Sequence, residues 1–574
     1  MYKNYPLLSR NLLLCLFSFI CCILAPNPIS AQTVETAWIS KYNGPGNNYD
    51  EATGIAIDGE GNVYVTGYSF GSDTTGNDYA TVKYNSDVVE QWVQRYNGPG
   101  NGDDYAYAIA VDGQGNVYVS GSSFGSTTDF DYATIKYNSD GVEQWTRRYD
   151  GPAHGGDWAS SLAVDEQGNV YVTGGDYSSG NTDFATLKYD SAGNEKWVRR
   201  YNGPGNSLDA CYSIAVDGSG NVFVTGESYN AENFGDYVTI KYNSAGDTLW
   251  LRRYDGPDHN NDQPYHLVID GQSNVYVTGA SYGGSRFGMD YATLKYNSDG
   301  DSLWVRRYNG PGSDADIAFS IAVDEHGNVY VTGESWSGTT DDIATIKYNS
   351  VGAEQWVQRY NGPGNNGDYG RSAAVDGQGN VYVTGWSFAS DTTGDDYATI
   401  KYDSAGVEQW VQKYNGPGNG DDHAWPLAVD KQGNVYVTGV SYNGSHSLED
   451  YTTIKYVQTP GDVRDEGNGV NTSGFVLSRN YPNPFNPTTK IKYSVPRIST
   501  VQITIYDVLG NKIETILNEE KPAGTYELTW NAANLSSGIY FYRIKATPVG
   551  EQAGDPPASS GQVFIQTKKM ILLK

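Results

Sequence analysis

Cysteine is scarce in this sequence, and its placement excludes a disulfide framework. Of the four cysteines in 574 residues, Cys15, Cys21 and Cys22 lie within the first 31 residues, and only Cys211 follows them. A chain that keeps one cysteine forms no intramolecular disulfide, so its stability has to come from a large core. No histidine stands near Cys211 in its part of the sequence, which favours a small buried side chain over a catalytic thiol.

Basic residues are also few. The chain has 38 Lys and Arg against 67 Asp and Glu, and its formal net charge is −29. This balance argues against binding to nucleic acid or to an anionic membrane surface and suits a soluble exported protein. A Gly-rich phosphate loop, a nucleophile elbow and a zinc-binding helix are all missing. We therefore assign no catalytic residue and no metal ligand, and we expect no enzyme activity.

Long hydrophobic runs are absent except near the start of the chain. Residues Leu12 to Leu24 form an apolar stretch, preceded by the positive charges of Lys3 and Arg10. The small residues Ser30 and Ala31 follow it, so residues 1–31 are predicted to be a signal peptide cleaved before Gln32. A membrane anchor is the alternative, but the run is short for a span of about 30 Å.

What the sequence does contain is one stretch repeated eight times. Its tryptophan recurs every 52 to 54 residues, at Trp38, Trp92, Trp145, Trp197, Trp250, Trp304, Trp356 and Trp410. A regular period of this length indicates a solenoid or a propeller. Each unit predicts four strands, which in the second unit are Ala106–Asp112, Asn116–Ser120, Asp131–Tyr137 and Gln144–Tyr149. We find no amphipathic helix in the repeats.

The phase of the repeat predicts how the two ends meet. The repeats begin with a lone tryptophan strand, Trp38–Tyr42, and end on a third strand, Tyr451–Tyr456, after which no tryptophan strand follows. Pairing these two strands would complete eight four-stranded blades and remove the exposed edges, whereas an open solenoid would leave both ends unpaired. The predicted fold class is therefore all-β, with an eight-bladed β-propeller over residues 32–456 that is closed by its N-terminal outer strand.

Three aspartates recur in all eight units, and their carboxylates are candidates for catalytic, structural or metal-binding roles. One precedes the first strand (Asp104 in the second unit), one ends that strand (Asp112) and one opens the third strand (Asp131). Eight identical copies do not make an asymmetric catalytic centre, so we predict turn and blade-locking hydrogen bonds. Calcium at the loops that enter the first strand, for example residues 101–104, is the alternative.

Aromatic residues supply the candidate binding site. One stands three residues after the Val-Thr/Ser-Gly glycine of each second strand, and the loop that follows varies between units. Blade packing explains such a ring, but a sugar- or peptide-binding rim is the alternative. The residues Trp158, Trp386, Trp425, His259 and His423 break the symmetry of the repeat on the same face. We predict a ligand there that contacts Trp336, Trp386 and Phe388.

A separate module follows the repeats. Residues 457–474 are polar and Gly-rich, and are predicted to be a linker. Residues 475–574 predict further strands at Thr489–Val495, Thr500–Tyr506, Gly524–Trp530 and Gly538–Lys545, with a last strand running to the basic C-terminus.

Two resemblances add to this interpretation. The recurring Asp-x-x-Gly-Asn-Val-Tyr-Val-Thr-Gly and Asp-Tyr-Ala-Thr-Ile-Lys-Tyr motifs resemble the bacterial SBBP β-propeller repeat, and the tryptophan strand is similar to that of quinoprotein propellers. The segment from Tyr481 to Pro487, together with Trp530 and Gly538, resembles the type A sorting domain of the type IX secretion system. That domain is similar to an immunoglobulin-like β-sandwich of flagellar hook-capping proteins. The resemblance implies a sorting signal at Lys568, Lys569, Met570 and Lys574.

Together these features predict a protein that is secreted or held at the outer-membrane surface of a Gram-negative bacterium, reached through the periplasm. We expect a monomeric binding, interaction or structural module with an unknown glycan or protein ligand and the type IX machinery as partners. We expect no transmembrane segment in the mature chain and no cofactor other than the calcium alternative. A quinoprotein-like oxidoreductase, a polysaccharide hydrolase or lyase, and a purely structural surface protein are the alternatives.

Overall fold

The computed structural model describes residues 33–572, apart from 73, 179, 233, 284–287, 391–393, 445–448, 460–474, 478–479, 481, 484, 509 and 550–563. The predicted signal peptide and most of the predicted linker lie outside the described residues. Strands and turns make up the described part, in which there is no helix that could cross a membrane. The chain divides into two compact units, one spanning residues 31–461 and the other lying within residues 462–574.

The described residues of the first unit form 32 strands, which the turn residues of the repeat separate. In chain order they are β1 Thr33–Tyr42, β2 Asp50–Ile57, β3 Val63–Ser72, β4 Gly76–Tyr84, β5 Glu90–Tyr96, β6 Asp104–Val111, β7 Val117–Phe124, β8 Phe130–Tyr137, β9 Glu143–Tyr149, β10 Trp158–Val164, β11 Val170–Ser178, β12 Asn181–Tyr189, β13 Glu195–Tyr201, β14 Asp209–Val216, β15 Val222–Tyr229, β16 Gly235–Tyr242, β17 Thr248–Tyr254, β18 Asp262–Ile269, β19 Val275–Tyr282, β20 Met289–Tyr296, β21 Ser302–Tyr308, β22 Asp316–Val323, β23 Val329–Trp336, β24 Asp341–Tyr348, β25 Glu354–Tyr360, β26 Asp368–Val375, β27 Val381–Ser390, β28 Gly394–Tyr402, β29 Glu408–Tyr414, β30 Asp422–Val429, β31 Val435–Tyr442 and β32 Glu449–Thr459.

These strands form eight antiparallel sheets of four strands each. Sheets 1 to 7 are the consecutive sets β2–β5, β6–β9, β10–β13, β14–β17, β18–β21, β22–β25 and β26–β29, and sheet 8 has the order β1-β32-β31-β30. In sheet 8, Val34 pairs with Gln458 and Tyr42 pairs with Tyr451. The predicted pairing of the N-terminal strand with the last repeat strand is therefore confirmed.

The second strand of each sheet runs further than the sequence predicts. In the second unit it is Val117–Phe124, whereas the predicted strand ends at Ser120. The next residue is Gly121, where a Cβ atom would lie 1.9 Å from the carbonyl oxygen of Tyr105. This glycine therefore marks a close approach between two paired strands and does not end the strand.

Apolar side chains join each sheet to the next. Tyr64 and Tyr79 of sheet 1 share one hydrophobic cluster with Val117, Val119 and Ile135 of sheet 2. The Tyr79 hydroxyl donates to the Ala133 carbonyl of sheet 2, 3.3 Å away. These strands are buried on both faces because a neighbouring sheet covers each side.

The same packing links the last sheet to the first. Tyr436 and Tyr451 of sheet 8 lie in one cluster with Val63 and Val65 of sheet 1. The Tyr451 hydroxyl donates to the Ala80 carbonyl of sheet 1, 3.2 Å away. The contact that Tyr79 makes between sheets 1 and 2 thus recurs between sheets 8 and 1.

The second unit has two sheets around one core. Its strands are β33 Val476–Leu477, β34 Thr488–Val495, β35 Ser499–Tyr506, β36 Lys512–Lys521, β37 Gly524–Asn531, β38 Gly538–Pro548 and β39 Phe564–Leu572. The sheet orders are β33-β34-β37 and β36-β35-β38-β39. Side chains of both sheets, among them Ile491, Ile503, Trp530 and Tyr542, share the core. The sequence did not predict β36, whose Lys, Glu and Asn residues mask its alternation.

The predicted sorting residues fall on the last strand of this unit. Met570 has no exposed surface and belongs to the core, whereas Lys569 points to solvent. Lys568 is half-buried on the same strand, and Lys574 lies outside the described residues. At least one of the four predicted residues therefore has a packing role.

Candidate functional site

Every first strand of the eight sheets contains a bulge at the same place. In sheet 2 the register with the second strand shifts between Ala106 and Ala108, which leaves Tyr107 unpaired. Bulges re-aim a side chain. The residue type at the bulge varies among the sheets. The bulged residues are Thr53, Tyr107, Ser160, Tyr212, Tyr265, Phe319 and Arg371, and in sheet 8 Trp425 with Pro426.

A second set of varying residues lies beside the bulges. It consists of one cross-strand pair per sheet, placed between the invariant aspartate that precedes the bulge and the bulge itself. The pairs are Glu51–Tyr68, Tyr105–Ser122, Trp158–Gly175, Ala210–Glu227, Gln263–Ala280, Ile317–Glu334, Tyr369–Trp386 and His423–Val440. We call these pairs and the bulged residues the variable layer.

The first strands of neighbouring sheets lie side by side, which brings the variable layer together. The Thr53 hydroxyl of sheet 1 donates to the Ala106 carbonyl of sheet 2 over 2.8 Å. The Ile321 amide of sheet 6 donates to Nδ1 of His266 in sheet 5 over 3.2 Å. His266 is half-buried, and desolvation of its ring lowers its pKa to about 4, so the ring is neutral and accepts that hydrogen bond.

Arg371 lies at the centre of the most asymmetric part of the layer. Its guanidinium carbon is 4.0 Å from the ring centre of Phe319 and 4.5 Å from that of Trp386. Trp425 and Tyr369 follow at 5.9 and 5.7 Å. Four aromatic rings from sheets 6, 7 and 8 thus surround one cation.

The charge of Arg371 is balanced by Glu334. Its Nη1 is 3.3 Å from Oε2 of Glu334, and both side chains are mostly buried. Burial lowers the pKa of Arg371 and raises the pKa of Glu334, since each loses hydration. Nε of Arg371 and Nε1 of Trp425 have no hydrogen-bond partner among the described residues. This cluster therefore keeps polar groups unsatisfied in an aromatic setting.

A second carboxylate lies in the neighbouring part of the layer. Glu227 is 2% exposed, and its Oε2 accepts a hydrogen bond from Nε2 of Gln263 over 2.9 Å. Burial raises the pKa of Glu227 as it does that of Glu334. In sheet 1, Glu51 accepts hydrogen bonds from the hydroxyls of Tyr49 and Tyr68. No two sheets present the same set of groups.

The structure separates the three predicted binding residues. Trp386 is 7% exposed and contacts His423 and Trp425, with ring centres 4.5 and 4.9 Å apart. Trp336 and Phe388 are half-buried outside this cluster, where they pack over the glycines of the loops that enter the first strands. Among the described residues, neither makes a ring contact with Trp386.

Of the five symmetry-breaking residues, the structure brings three together. Trp386, His423 and Trp425 share the Arg371 cluster. Trp158 packs over Gly175 in sheet 3, and His259 is exposed and bonds Asp255. Sequence reasoning missed Arg371, Phe319 and Glu334. An alignment of the eight repeats could have identified them, because their positions vary between constant neighbours.

The recurring aspartates have the predicted hydrogen-bonding roles. Oδ2 of Asp104 accepts from the Gly98 amide over 2.7 Å, and all seven sister aspartates make the same bond. Asp112 accepts bonds from Gln114, Asn116 and Tyr118 within its turn. Asp131 bonds Arg148 of the adjacent strand.

Cavities lie between the turns at the opposite end of the sheets. A cavity of about 220 Å³ lies between the turns of sheets 6 and 7, lined by His326, Tyr330, Lys347 and Gln378 among others. Two of its polar groups are already paired, because Tyr330 donates to Asp324 and Lys347 donates to the Ser404 carbonyl. A similar cavity of about 160 Å³ lies between sheets 3 and 4. These turns vary less from sheet to sheet than the variable layer does, and His326 is one of their differences.

Comparisons with known families agree with the two units. The β-propeller repeat family SBBP matches residues 38–73, 91–126, 144–184, 196–235, 303–338 and 355–391. The secretion system C-terminal sorting domain matches residues 479–549. No curated protein matches the sequence at a significant level.

Several solved structures are similar to parts of this chain. Sqt1 from Chaetomium thermophilum shares 10% identity over 73% of this chain and 98% of its own, with a TM-score of 0.42. The polysaccharide lyase Uly1 shares 11% over 70% and 89%, with a TM-score of 0.39. The β-propeller domain of the trilobed protease from Pyrococcus furiosus shares 9% over 63% and 97%, with a TM-score of 0.37. Likeness at this level says nothing about the function of this chain.

The family matches identify the modules of the chain. The chain contains SBBP β-propeller repeats and a C-terminal type IX secretion sorting domain, which implies interaction with the secretion machinery and export to the cell surface or secretion.

Proposed function

We propose that the eight sheets are the blades of one closed β-propeller that acts as a binding module, followed by an immunoglobulin-like sandwich that carries the export signal. The repeated Tyr79-type hydrogen bond, present also between sheets 8 and 1, supports closure. In a closed ring the first strands line a central channel. The variable layer then lies at the channel mouth, on the side of the varying loops.

The observation that carries the binding role is that every sheet presents a different set of residues in this layer. The eight repeats keep their turns, core tyrosines and locking aspartates, yet differ at the bulges and the pairs beside them. Packing alone would favour the same residue in every blade. A glycan or peptide meeting aromatic rings and unsatisfied polar groups is the ligand that such a surface suits.

The binding test compares the inner cluster with the outer aromatic ring. The ligand is first identified by glycan-array and peptide-panel screening. We expect Trp386→Ala, Trp425→Phe and Arg371→Ala to weaken its binding, by about 1–3 kcal/mol for the alanine variants. Gln378→Ala, on the exposed turns of the opposite end, is the control and should not change affinity. Loss of binding with Trp336→Ala or Phe388→Ala alone would move the site to the outer ring. Loss of binding with Gln378→Ala alone would place the site on the turns at the opposite end of the sheets.

A carbohydrate-active enzyme is the second candidate, favoured by one observation. Burial, and then the charges of Glu227 and Glu334, raise the pKa of Tyr265, so this ring lies near two carboxyl groups whose own pKa values burial raises. Two such carboxyl groups can serve acid and base roles. Turnover of a bound polysaccharide that is abolished by Glu227→Gln while binding persists would favour this candidate over the binding module.

We further propose that export passes through the periplasm and depends on β39. A chain cut after Gln562 loses this strand and should accumulate in the periplasm. Because the cut also unpairs β38, Lys569→Glu tests the signal with the core intact, since Lys569 is exposed. Fractionation of producing cells measures the outcome, and normal secretion of both variants would contradict the proposal.

A further inference from the structure

Two of the loops that enter the first strands differ from the others in one residue. Six of them begin with an asparagine, at Asn43, Asn97, Asn202, Asn309, Asn361 and Asn415. The loops between sheets 2 and 3 and between sheets 4 and 5 begin instead with Asp150 and Asp255. The internal repeat thus provides a natural comparison between an amide and a carboxylate at one site.

A second substitution accompanies the first. In five asparagine loops the amide nitrogen donates to an asparagine four residues later, as Asn97 does to Asn101 over 3.0 Å. In the two aspartate loops a histidine stands at that position. Nδ1 of His154 is 2.6 Å from Oδ2 of Asp150, and Nδ1 of His259 is 2.7 Å from Oδ2 of Asp255. The loop keeps its fold, and the second carboxylate oxygen of Asp150 and of Asp255 takes no part in the contact with histidine.

The added carboxylate completes a group of three. Asp150 joins Asp131 of β8 and Asp157 before β10, and one oxygen from each lies within 4.8 Å of the others. Asp255 joins Asp236 and Asp262 in the same way. Two of the three carboxylates recur in every repeat, so the third is present only where aspartate replaces the loop asparagine.

Buried oxygens without donors lie within the groups. Oδ2 of Asp131 accepts from Arg148, while Oδ1 has no hydrogen-bond partner among the described residues, although Asp131 is only 4% exposed. Oδ1 of Asp150 and Oδ1 of Asp262 are likewise buried without a partner. In one sister repeat, Nδ2 of Asn309 donates to the equivalent oxygen of Asp290 over 2.9 Å, which an aspartate cannot do. The equivalent oxygens of Asp78 and Asp450 are also buried without a partner among the described residues, so the third carboxylate is what distinguishes the two groups.

Carboxylates outnumber the cations at this point. Three carboxylates face the guanidinium of Arg148 and the exposed ring of His154, which pairs with Asp150, so even a protonated His154 leaves one negative charge uncompensated. Burying carboxylates this close together is costly unless a proton or a metal ion neutralises them.

We propose that each group binds one Ca²⁺ ion, which bridges sheets 2 and 3 at Asp131, Asp150 and Asp157 and sheets 4 and 5 at Asp236, Asp255 and Asp262. The donor set is oxygen only, which suits a hard cation. Calcium–oxygen distances of about 2.3–2.6 Å separate opposite ligands by up to about 5 Å, in keeping with the spacing here, whereas the shorter Mg²⁺ distances fit less well. Each site ties a loop to two neighbouring sheets.

The test uses the residue that the sister repeats carry. Calcium titration of the full mature chain by calorimetry should find two ions per chain, one in Asp150→Asn or Asp255→Asn, and none in the double variant. Asp140→Asn, an exposed turn residue with the same change of charge, should keep two. Calcium should raise Tm in the wild type and leave the double variant unchanged. Extracellular calcium modules bind at about 10⁻⁴–10⁻³ M, which sets the titration range.

A gain-of-site variant completes the experiment. Asn97→Asp with Asn101→His transfers the aspartate–histidine pair beside Asp78 and Asp104 and should add a third ion. Absence of calcium binding by the wild type up to about 5 mM, well above that range, would overturn the proposal. So would equal stoichiometry in the wild type and the double variant, or a transferred pair that adds no ion. None of these results depends on the ligand at the channel mouth.

Discussion

The turn between the third and fourth strands depends on one residue with a positive φ angle. Six repeats place glycine there, with φ between 79° and 86°, at Gly141, Gly193, Gly246, Gly300, Gly352 and Gly406. The tryptophan of the preceding sheet packs over this glycine, as Trp92 does over Gly141, and its Nε1 donates to the Ser139 carbonyl. The first repeat has Val88 at φ 72° instead, and Nε1 of Trp38 is buried with no hydrogen-bond partner in the part of the chain that the structure describes.

We expect Val88→Gly to stabilise the protein. A β-branched residue in the left-handed region is strained by about 1–2 kcal/mol, part of which the greater freedom of glycine in the unfolded chain offsets. The net gain should be about 1 kcal/mol, measured by denaturant unfolding. Gly141→Val is the matched reverse change and should destabilise by more, because its Cβ would lie 2.7 Å from the Trp92 ring. A less stable Val88→Gly variant would show that the turn is not strained.

The N-terminal strand is the element that completes the last sheet. β1 pairs with β32 from Thr33 to Tyr42, and Trp38 packs against Tyr84 and Tyr436 on either side. Without it, β32 would present an unpaired edge along most of its length. Such an edge is a template for pairing with other chains.

Removal of residues 32–43 should therefore lower Tm and cause aggregation. A chain that begins at Gln32 is the control, and light scattering with differential scanning calorimetry measures both effects. A truncated protein that melts at the same temperature and stays monomeric would show that β1 is not needed to close sheet 8.

For the whole molecule, buried carboxylates couple stability to pH. The aspartate before each first strand has no exposed surface. Burial raises the pKa of Asp50, Asp104, Asp262 and Asp368 to about 6 and that of Asp157 to about 7, from an ordinary value of 3.8. The folded state therefore holds more protons than the unfolded state between about pH 4 and pH 7.

Stability should fall as pH rises through this window. The contribution of raised aspartate pKa values is fully present below pH 3.8 and is lost above their folded values. His266 acts in the opposite direction below about pH 6.5, but it is one group against five. We expect Tm in EDTA to be several degrees higher at pH 5 than at pH 8, measured by calorimetry. Asp157→Asn should flatten this dependence, and a Tm that rises with pH would contradict it.

The strands, their number per repeat and the pairing of β1 could be predicted because they depend on local chemistry. Alternating Val, Ile and Tyr between Gly-Asn and Asn-Ser turns specifies strands wherever it occurs, and the phase of the repeat identifies which ends are unpaired. The sorting domain was recognised from its own motifs in the same way. The ends of the strands were less certain, since Gly121 resembles a turn residue until the strand beside it is known.

The candidate site depended on the tertiary structure. Arg371, Trp386 and Trp425 come from two repeats, and only the side-by-side packing of first strands brings them together. A bulge shifts the alternation by one residue, so the direction of Arg371 does not follow from its position along the strand. The two carboxylate groups have the same origin: their members are separated by up to 26 residues, and their closeness comes from the contact between neighbouring sheets.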